Sequence, residues 1–254
     1  THIAGELARL LAAPCRSLDF TRPQVRQQEL DFSQSDLVVL GTPVYAGRVP
    51  NVLLPFLREK IRGGGALAVP VVLFGNRNYD DALLELRDIL QQDGFRCVAA
   101  GAFVGEHSFS RTLGAGRPDD GDMAGQAAFA REICEKLAGQ AGTEMAPVLV
   151  RGETPIRPYY TPRDRYGNPI NILKVKPKTD PDRCSGCGLC AELCPMGSID
   201  PADVSQVRGI CIKCCACVKK CPSGAKYFDD PGYLFHQHEL EDVYTRRAEN
   251  EWFV

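Results

Sequence analysis

Residues 184–195 read CSGCGLCAELCP, and residues 211–222 read CIKCCACVKKCP. Both are C-x2-C-x2-C-x3-C-P, and every cysteine of the second stretch lies 27 residues after its counterpart in the first. This is an internal duplication, and two copies predict a pseudo-twofold pair rather than a solenoid. Three thiolates at this spacing wrap a loop around one corner of an iron–sulfur cube, and the fourth, opening the next segment, points to the other cube. Pro195 and Pro222 force the residue before them out of the helical region, which aims that fourth ligand. Gly186 and Gly188 let the backbone approach the inorganic sulfides. The spacing therefore predicts two [4Fe–4S] clusters with crossed ligation. One takes Cys184, Cys187, Cys190 and Cys221; the other takes Cys211, Cys214, Cys217 and Cys194.

Zinc is the competing ligation, but its sites usually use two pairs of ligands separated by a longer loop. A disulfide scaffold would spread its cysteines over loops, whereas nine of the twelve lie between 184 and 221. Cys215 is surplus to the pattern and reads either as a spare ligand or redox thiol, or as a buried bystander. Cys15, Cys97 and Cys134 are scattered and expected in the core. Lys213, Lys219 and Lys220 surround the second motif, with Lys174, Lys176 and Lys178 upstream. They read either as a solvated face offsetting cluster charge, or as groups that form a docking face for an acidic partner or raise one cluster's potential.

Moving outward, the chain has 254 residues, 44% hydrophobic and 24% charged, with a formal net charge of -2. That balance describes an ordinary soluble globular protein and gives no global basic surface for nucleic acid. No apolar run reaches the length of a membrane span, and a cytoplasmic location is expected. Before the cysteines, DLVVLG (36–41), VVLFG (71–75) and CVAAGAFVG (97–105) read as buried strands. They alternate with helical stretches NVLLPFLREKIRGGG and DDALLELRDILQQDG, the latter capped by Asp80, and with GQAAFAREICEKLAG. The order implies a parallel sheet with right-handed crossovers. Between the two halves, PVLVRGETPIRPYYTPRDRYGNPINILKVKPKTDP holds seven of the 18 prolines and predicts an extended, semi-rigid connector. The tail ELEDVYTRRAENEWFV is expected to form a short acidic helix. The resulting domains are 1–146, a 147–172 linker, the cysteine unit at 173–228 and a 229–254 tail.

Open parallel sheets bind ligands beyond the carboxyl ends of their strands, which selects the loops GTPVYAGRVP and GNRNYDD. Tyr45 offers a stacking face and Gly47 close backbone approach, while GNRNY (75–79) offers amides to a pyrimidine edge. TPVYAGRVP, FGNRNYDDAL and GEHSFS together look like a flavodoxin-type domain. The cysteine unit resembles bacterial ferredoxins, and nearly the whole chain resembles the EFR-type ferrodoxins, flavodoxin–ferredoxin fusions of anaerobic bacteria and archaea. The resemblance implies an α/β flavodoxin-like parallel sheet and an α+β ferredoxin domain. It also implies FMN at Thr42, Pro43, Tyr45, Gly47, Asn76, Arg77, Asn78 and Tyr79. His107 and Ser108 lie on the next loop of the same edge, and Arg117, Pro118 and Asp119 also look like the family. At the front, THIAGELA matches the last Thr (Thr1) of a T-x-T-G-x-T phosphate loop and the helix after it. The family's first strand is expected to be missing, so the domain reads as N-terminally truncated and FMN binding as impaired in this chain.

An electron carrier is the leading reading, because two clusters relay single electrons and a flavin converts them into pairs. Its redox partner protein, donor or acceptor, is not specified by any motif. A flavin-dependent reductase fed by its own ferredoxin domain is the second reading. A ferredoxin interaction module on a flavin-free scaffold is the third. No NAD fingerprint or catalytic triad favours a dedicated enzyme.

Overall fold

The computed structural model describes residues 2–139 and 146–254; Thr1, expected at the phosphate loop, lies outside them. In chain order the first half contains α1 (His2–Leu10), β1 (Leu30–Asp31), β2 (Leu37–Pro43), α2 (Leu54–Lys60), β3 (Ile61–Arg62), β4 (Leu67–Phe74), α3 (Ala82–Gln92), β5 (Arg96–Cys97), β6 (Ala100–Val104) and α4 (Asp120–Gly139). After the proline-rich segment come β7 (Lys178–Thr179), α5 (Leu189–Glu192), α6 (Ala216–Lys219), β8 (Lys226–Tyr227), α7 (Pro231–Val243) and β9 (Glu251–Phe253).

The main sheet runs β2-β4-β6-β9. Strands β2 and β4 are parallel from Leu37↔Leu67 to Pro43↔Leu73, and β4 and β6 from Val71↔Gly101 to Phe74↔Val104. Alternation along β4 sends Ala68 and Val72 to one face, packed with Leu57 of α2 and with Leu83, Leu86 and Leu90 of α3. It sends Val69 and Val71 to the other, packed with Ile3 and Leu7 of α1 and with Phe129 and Ile133 of α4. Helices on both faces bury the β-branched strands on both sides, which is why those strands read as near-continuous apolar runs.

Three details depart from expectation. Asp80 does not cap α3. It sits in the left-handed region (φ 45°) and pairs with Arg77, while Asp81 occupies the cap position with its carboxylate bound to Arg157. Cys15 is exposed rather than core, because residues 11–17, which follow α1, are exposed and contribute to neither of the two apolar clusters of the α/β half. The tail is not simply an acidic helix. Helix α7 starts earlier, at Pro231, with the Asp230 carboxylate accepting from Tyr233 N at 2.9 Å. The chain then ends in β9, antiparallel to β6 (Ala100↔Phe253), with Trp252 stacked on Phe103.

Residues 147–172 of the proline-rich segment have neither helix nor strand, as their composition dictates. The segment is docked on the α/β half. Arg48 donates to Arg157 O at 2.6 Å, Tyr159 Oη to Val49 O at 2.8 Å, and Tyr160 N to Ala46 O at 2.8 Å. No described helix is long and apolar enough to cross a membrane.

Candidate metal centre

The two cysteine motifs fold alike. In the first, Gly186 and Gly188 have φ of 70° and 73°, and the chain enters α5 at Leu189, just before Cys190. In the second, the residues at the same offsets, Lys213 and Cys215, have φ of 54° and 57° and precede α6, which carries Cys217. Each left-handed residue reverses the chain, so that the three cysteines of its motif face one cavity. After each short helix a proline releases the chain, and the fourth cysteine is fixed by an amide four residues on. Ser198 N donates to Cys194 Sγ, and Ala225 N to Cys221 Sγ, both at 3.3 Å. The small β7–β8 ladder, Lys178↔Tyr227 and Thr179↔Lys226, ties the start of the unit to its end.

One cavity is lined by Cys184, Cys187 and Cys190 together with Cys221. The other is lined by Cys211, Cys214 and Cys217 together with Cys194. Each thus draws three thiols from one motif and the fourth from the other. Among the described residues, no three His, Cys, Asp or Glu side chains converge on a point as ligands of a single ion would. A cube has four irons, each taking one thiolate, so its ligands ring a cavity, and the residues present fit such a cluster.

The two cavities differ in surroundings. Cys187 is exposed, whereas Cys217 is buried and burial pushes its thiol up to about 12. Against the cost of burial, the Ser223 hydroxyl and the amides of Lys226, Ala225 and Ser223 together hold the Cys221 thiol down to about 7. Cys215 also lines the second cavity, with its Sγ 3.3 Å from Lys213 O and 3.2 Å from the Tyr233 hydroxyl. The Lys226 and Tyr233 contacts had no signature in sequence. The counterpart of Lys226 is Ile199, and Tyr233 comes from a helix whose docking the sequence did not indicate.

The lysines do not form one docking face. Lys213 is buried, and Lys219 donates to His107 O at 2.6 Å across to the α/β half. Lys176 donates to Val207 O and Lys178 pairs with Asp229 at 2.8 Å, while Lys174 and Lys220 are exposed.

The sheet-edge residues come together at the ends of β2, β4 and β6, against the cysteine unit. Tyr45 lies near Cys214, Cys215 and Cys211, and burial raises its phenol. Asn76 is buried and fully used: its Nδ2 donates to Tyr244 O and Arg246 O, and its Oδ1 accepts from Ala248 N. Arg77 pairs with Asp80 and lies over the Tyr160 ring; Asn78 accepts from Asp80 N. Tyr79 is buried, with its hydroxyl on Glu251 and Arg151 over its ring. At Gly47 (φ 77°) an added Cβ would fall 2.3 Å from the Asp80 carboxylate. Pro43 is exposed, and Thr42 Oγ1 is buried without a partner among the described residues. His107 accepts from Phe109 N at 3.2 Å, and burial lowers its imidazole to about 4. Ser108 is half-buried beside it. Arg117, which precedes Pro118 across a cis peptide bond, pairs with Asp122 and donates to Ala248 O at 3.1 Å, while Asp119 pairs with Arg247. Both therefore anchor the tail. As a set, the side chains of residues 76–79 are committed to the chain's own tail and loops.

The 4Fe-4S binding domain family matches residues 177–200. That span contains the whole first motif. The chain carries a 4Fe-4S binding domain. At least one [4Fe–4S] cluster and iron–sulfur electron transfer follow, together with dependence on redox partners. No curated protein matches the chain. The unmatched second motif of this 4Fe-4S unit differs at two positions where the first has glycine, Lys213 and Cys215.

Proposed function

We infer that this protein is an electron carrier holding two [4Fe–4S] clusters, one on Cys184, Cys187, Cys190 and Cys221 and one on Cys211, Cys214, Cys217 and Cys194. The observation that carries this reading is the lining of the two cavities, each by three cysteines of one motif and the fourth of the other. The clusters supply one-electron chemistry. The chain's own residues hold the thiolates, donate amides to the fourth ligand of each set, and exclude water from the second cavity with Ile199, Val207 and Phe228.

The α/β half is read as a flavodoxin-like scaffold, supported by the parallel β2-β4-β6 order with helices on both faces. The commitment of Asn76, Arg77, Asn78 and Tyr79 to internal contacts favours a second reading, a ferredoxin unit presented on a flavin-free scaffold. The contacts of Lys219 with His107 and of the proline-rich segment with Ala46 support a fixed seat for that unit.

Anaerobic purification followed by iron, sulfide and flavin analysis tests both readings. About eight irons and eight sulfides per chain are expected. Cys194→Ser should damage the cluster of the second motif and spare the one beside it in sequence. Loss of the near cluster alone would overturn crossed ligation. Stoichiometric FMN would return the sheet edge to flavin chemistry.

A further inference from the structure

Two lysines are buried beside the cysteine cavities with no acid to pair with among the described residues. Lys213 is 7% exposed and Lys226 3% exposed. Lys213 Nζ donates to Leu173 O at 2.5 Å and to Cys211 O at 2.8 Å. Lys226 lines the cavity of Cys184, Cys187, Cys190 and Cys221, and its Nζ donates to Val204 O. These acceptors are neutral carbonyls. Among the described residues neither ammonium lies within ion-pair distance of a carboxylate, unlike Lys178 with Asp229 or Lys219 with Glu106.

A buried cation satisfied only by dipoles is unfavourable, and proteins normally pair it. Lys213 carries a second cost. Its φ of 54° is a left-handed conformation that an L side chain adopts with strain, and its counterpart in the first motif is Gly186 at φ 70°. The backbone at this position suits glycine, yet the side chain present sends its ammonium back to a ligand cysteine's carbonyl. The missing negative charge is what the cavities would contain. Four thiolates on an oxidised cluster core leave a net charge of about −2, and one added electron makes it about −3.

We propose that Lys213 and Lys226 are the counter-cations of the two clusters, each raising the reduction potential of the cluster beside it. Lys213 acts on the cluster of Cys211, Cys214, Cys217 and Cys194, and Lys226 on that of Cys184, Cys187, Cys190 and Cys221. The proposal rests on the two-cluster reading. One electron from a low-potential one-electron reductant enters the cluster, no bond forms or breaks, and no proton moves. The fixed ammonium favours the more negative reduced state, so the equilibrium shifts toward reduction. Lys226 also lies within electrostatic reach of Cys217, so it acts more weakly on the second cluster.

The test is a dithionite titration of the anaerobically purified full chain, followed by electron paramagnetic resonance that resolves the two centres. Lys213→Gly restores the first motif's residue and relieves the backbone. It should lower the potential of the second-motif cluster by at least tenfold in its reduction equilibrium, which is 59 mV for one electron. Lys226→Met should lower chiefly the other potential, and Lys213→Arg and Lys226→Arg should restore most of each shift. Because the charges are buried, both shifts should persist in high salt, where surface charges are screened. Unchanged potentials in variants that keep both clusters would overturn the proposal, as would shifts that vanish in salt. A wild-type chain with a single cluster would instead overturn the two-cluster reading beneath it.

Discussion

Asp81 and Arg157 join the proline-rich segment to the α/β half through a two-pronged ion pair. The fully buried Asp81 carboxylate accepts Arg157 Nε at 2.9 Å and Nη2 at 2.5 Å, and also the backbone amides of Arg157 (2.9 Å) and Glu153 (3.1 Å). A segment that composition alone describes as a spacer is thereby made part of the fold. The carboxylate that would have capped α3 is the one that holds it.

Asp81→Ala should therefore release the segment. Removing one partner of such a pair exposes the remaining charge, but Arg157 is 44% exposed at its side chain and can be resolvated, so about 2 kcal/mol is expected. Arg157 hydrogen bonding holds the Asp81 carboxyl at about 2, below its ordinary 3.8. A depressed folded value means the contribution is present above pH 3.8 and lost as pH falls through 2, worth about 1–2 kcal/mol after solvent screening. Faster proteolysis within residues 147–170, with unchanged iron content, would be the signature. A variant as resistant as the parent would show the clamp to be dispensable.

Asp93 works in the opposite sense. It ends α3, its Oδ2 is buried without a partner among the described residues, and burial pushes its carboxyl up to about 6 despite Arg62 and Arg58 nearby. The folded state then keeps its proton at pH values where the unfolded chain has lost it, so stability is greatest below 3.8 and falls as pH rises through 6. A carboxylate at a helix C-terminus is also opposed by the helix dipole. Asp93→Asn should stabilise the protein by about 1 kcal/mol at pH 7 and by almost nothing at pH 4. Thermal melts at the two pH values decide it; an equal effect at both would rule out the carboxylate's ionisation as the cause.

The strands of the sheet were legible because burial on both faces leaves continuous β-branched runs such as Leu67–Phe74. The cysteine spacing was legible because ligand geometry restricts it to few chemistries. What stayed hidden depended on contacts between residues far apart in the chain. Asn76 looks like a free amide in a loop until residues 244–248 close over it, some 170 positions later. Lys213 and Lys219 look like surface charges until Leu173 and the His107 loop supply their acceptors. Strand β9 is three residues long, too short for any periodic signal.

Asn76 therefore carries a third expectation. It sits at φ 66°, a conformation asparagine tolerates better than most residues, and it satisfies three backbone groups of the tail. Asn76→Ala would strain the backbone and leave those groups unpaired, at a cost of about 2–4 kcal/mol. Asn76→Asp keeps the acceptor for Ala248 N but turns a buried carboxylate oxygen toward Tyr244 O and Arg246 O, so it should cost at least as much at neutral pH. Hydrogen exchange should quicken at residues 244–253 and not in the cysteine unit. Uniform loosening of the whole chain would mean that the tail is not a separable element.

Variants of Cys215 and Tyr233 test whether the surplus cysteine of the unit is a ligand or a packing residue. Cys215 occupies the left-handed position that Gly188 holds in the first motif, with its Sγ 3.2 Å from the buried Tyr233 hydroxyl. Cys215→Gly relieves strain of about 1–2 kcal/mol but leaves that hydroxyl unpaired, at a similar cost of about 1–2 kcal/mol. The single variant should therefore be nearly neutral. Tyr233→Phe removes the hydroxyl but leaves Cys215 bound to Lys213 O, and should lose about 1 kcal/mol. With both groups gone, the double variant keeps the relief of strain without the unpaired hydroxyl. It should be more stable than the sum of the singles predicts by about 1 kcal/mol, the coupling of the pair. All three variants should keep the parent's iron and sulfide content, because the eight cysteines around the two cavities are untouched. A loss of iron in Cys215→Gly that Tyr233→Phe does not share would make Cys215 a ligand and would displace one of those eight.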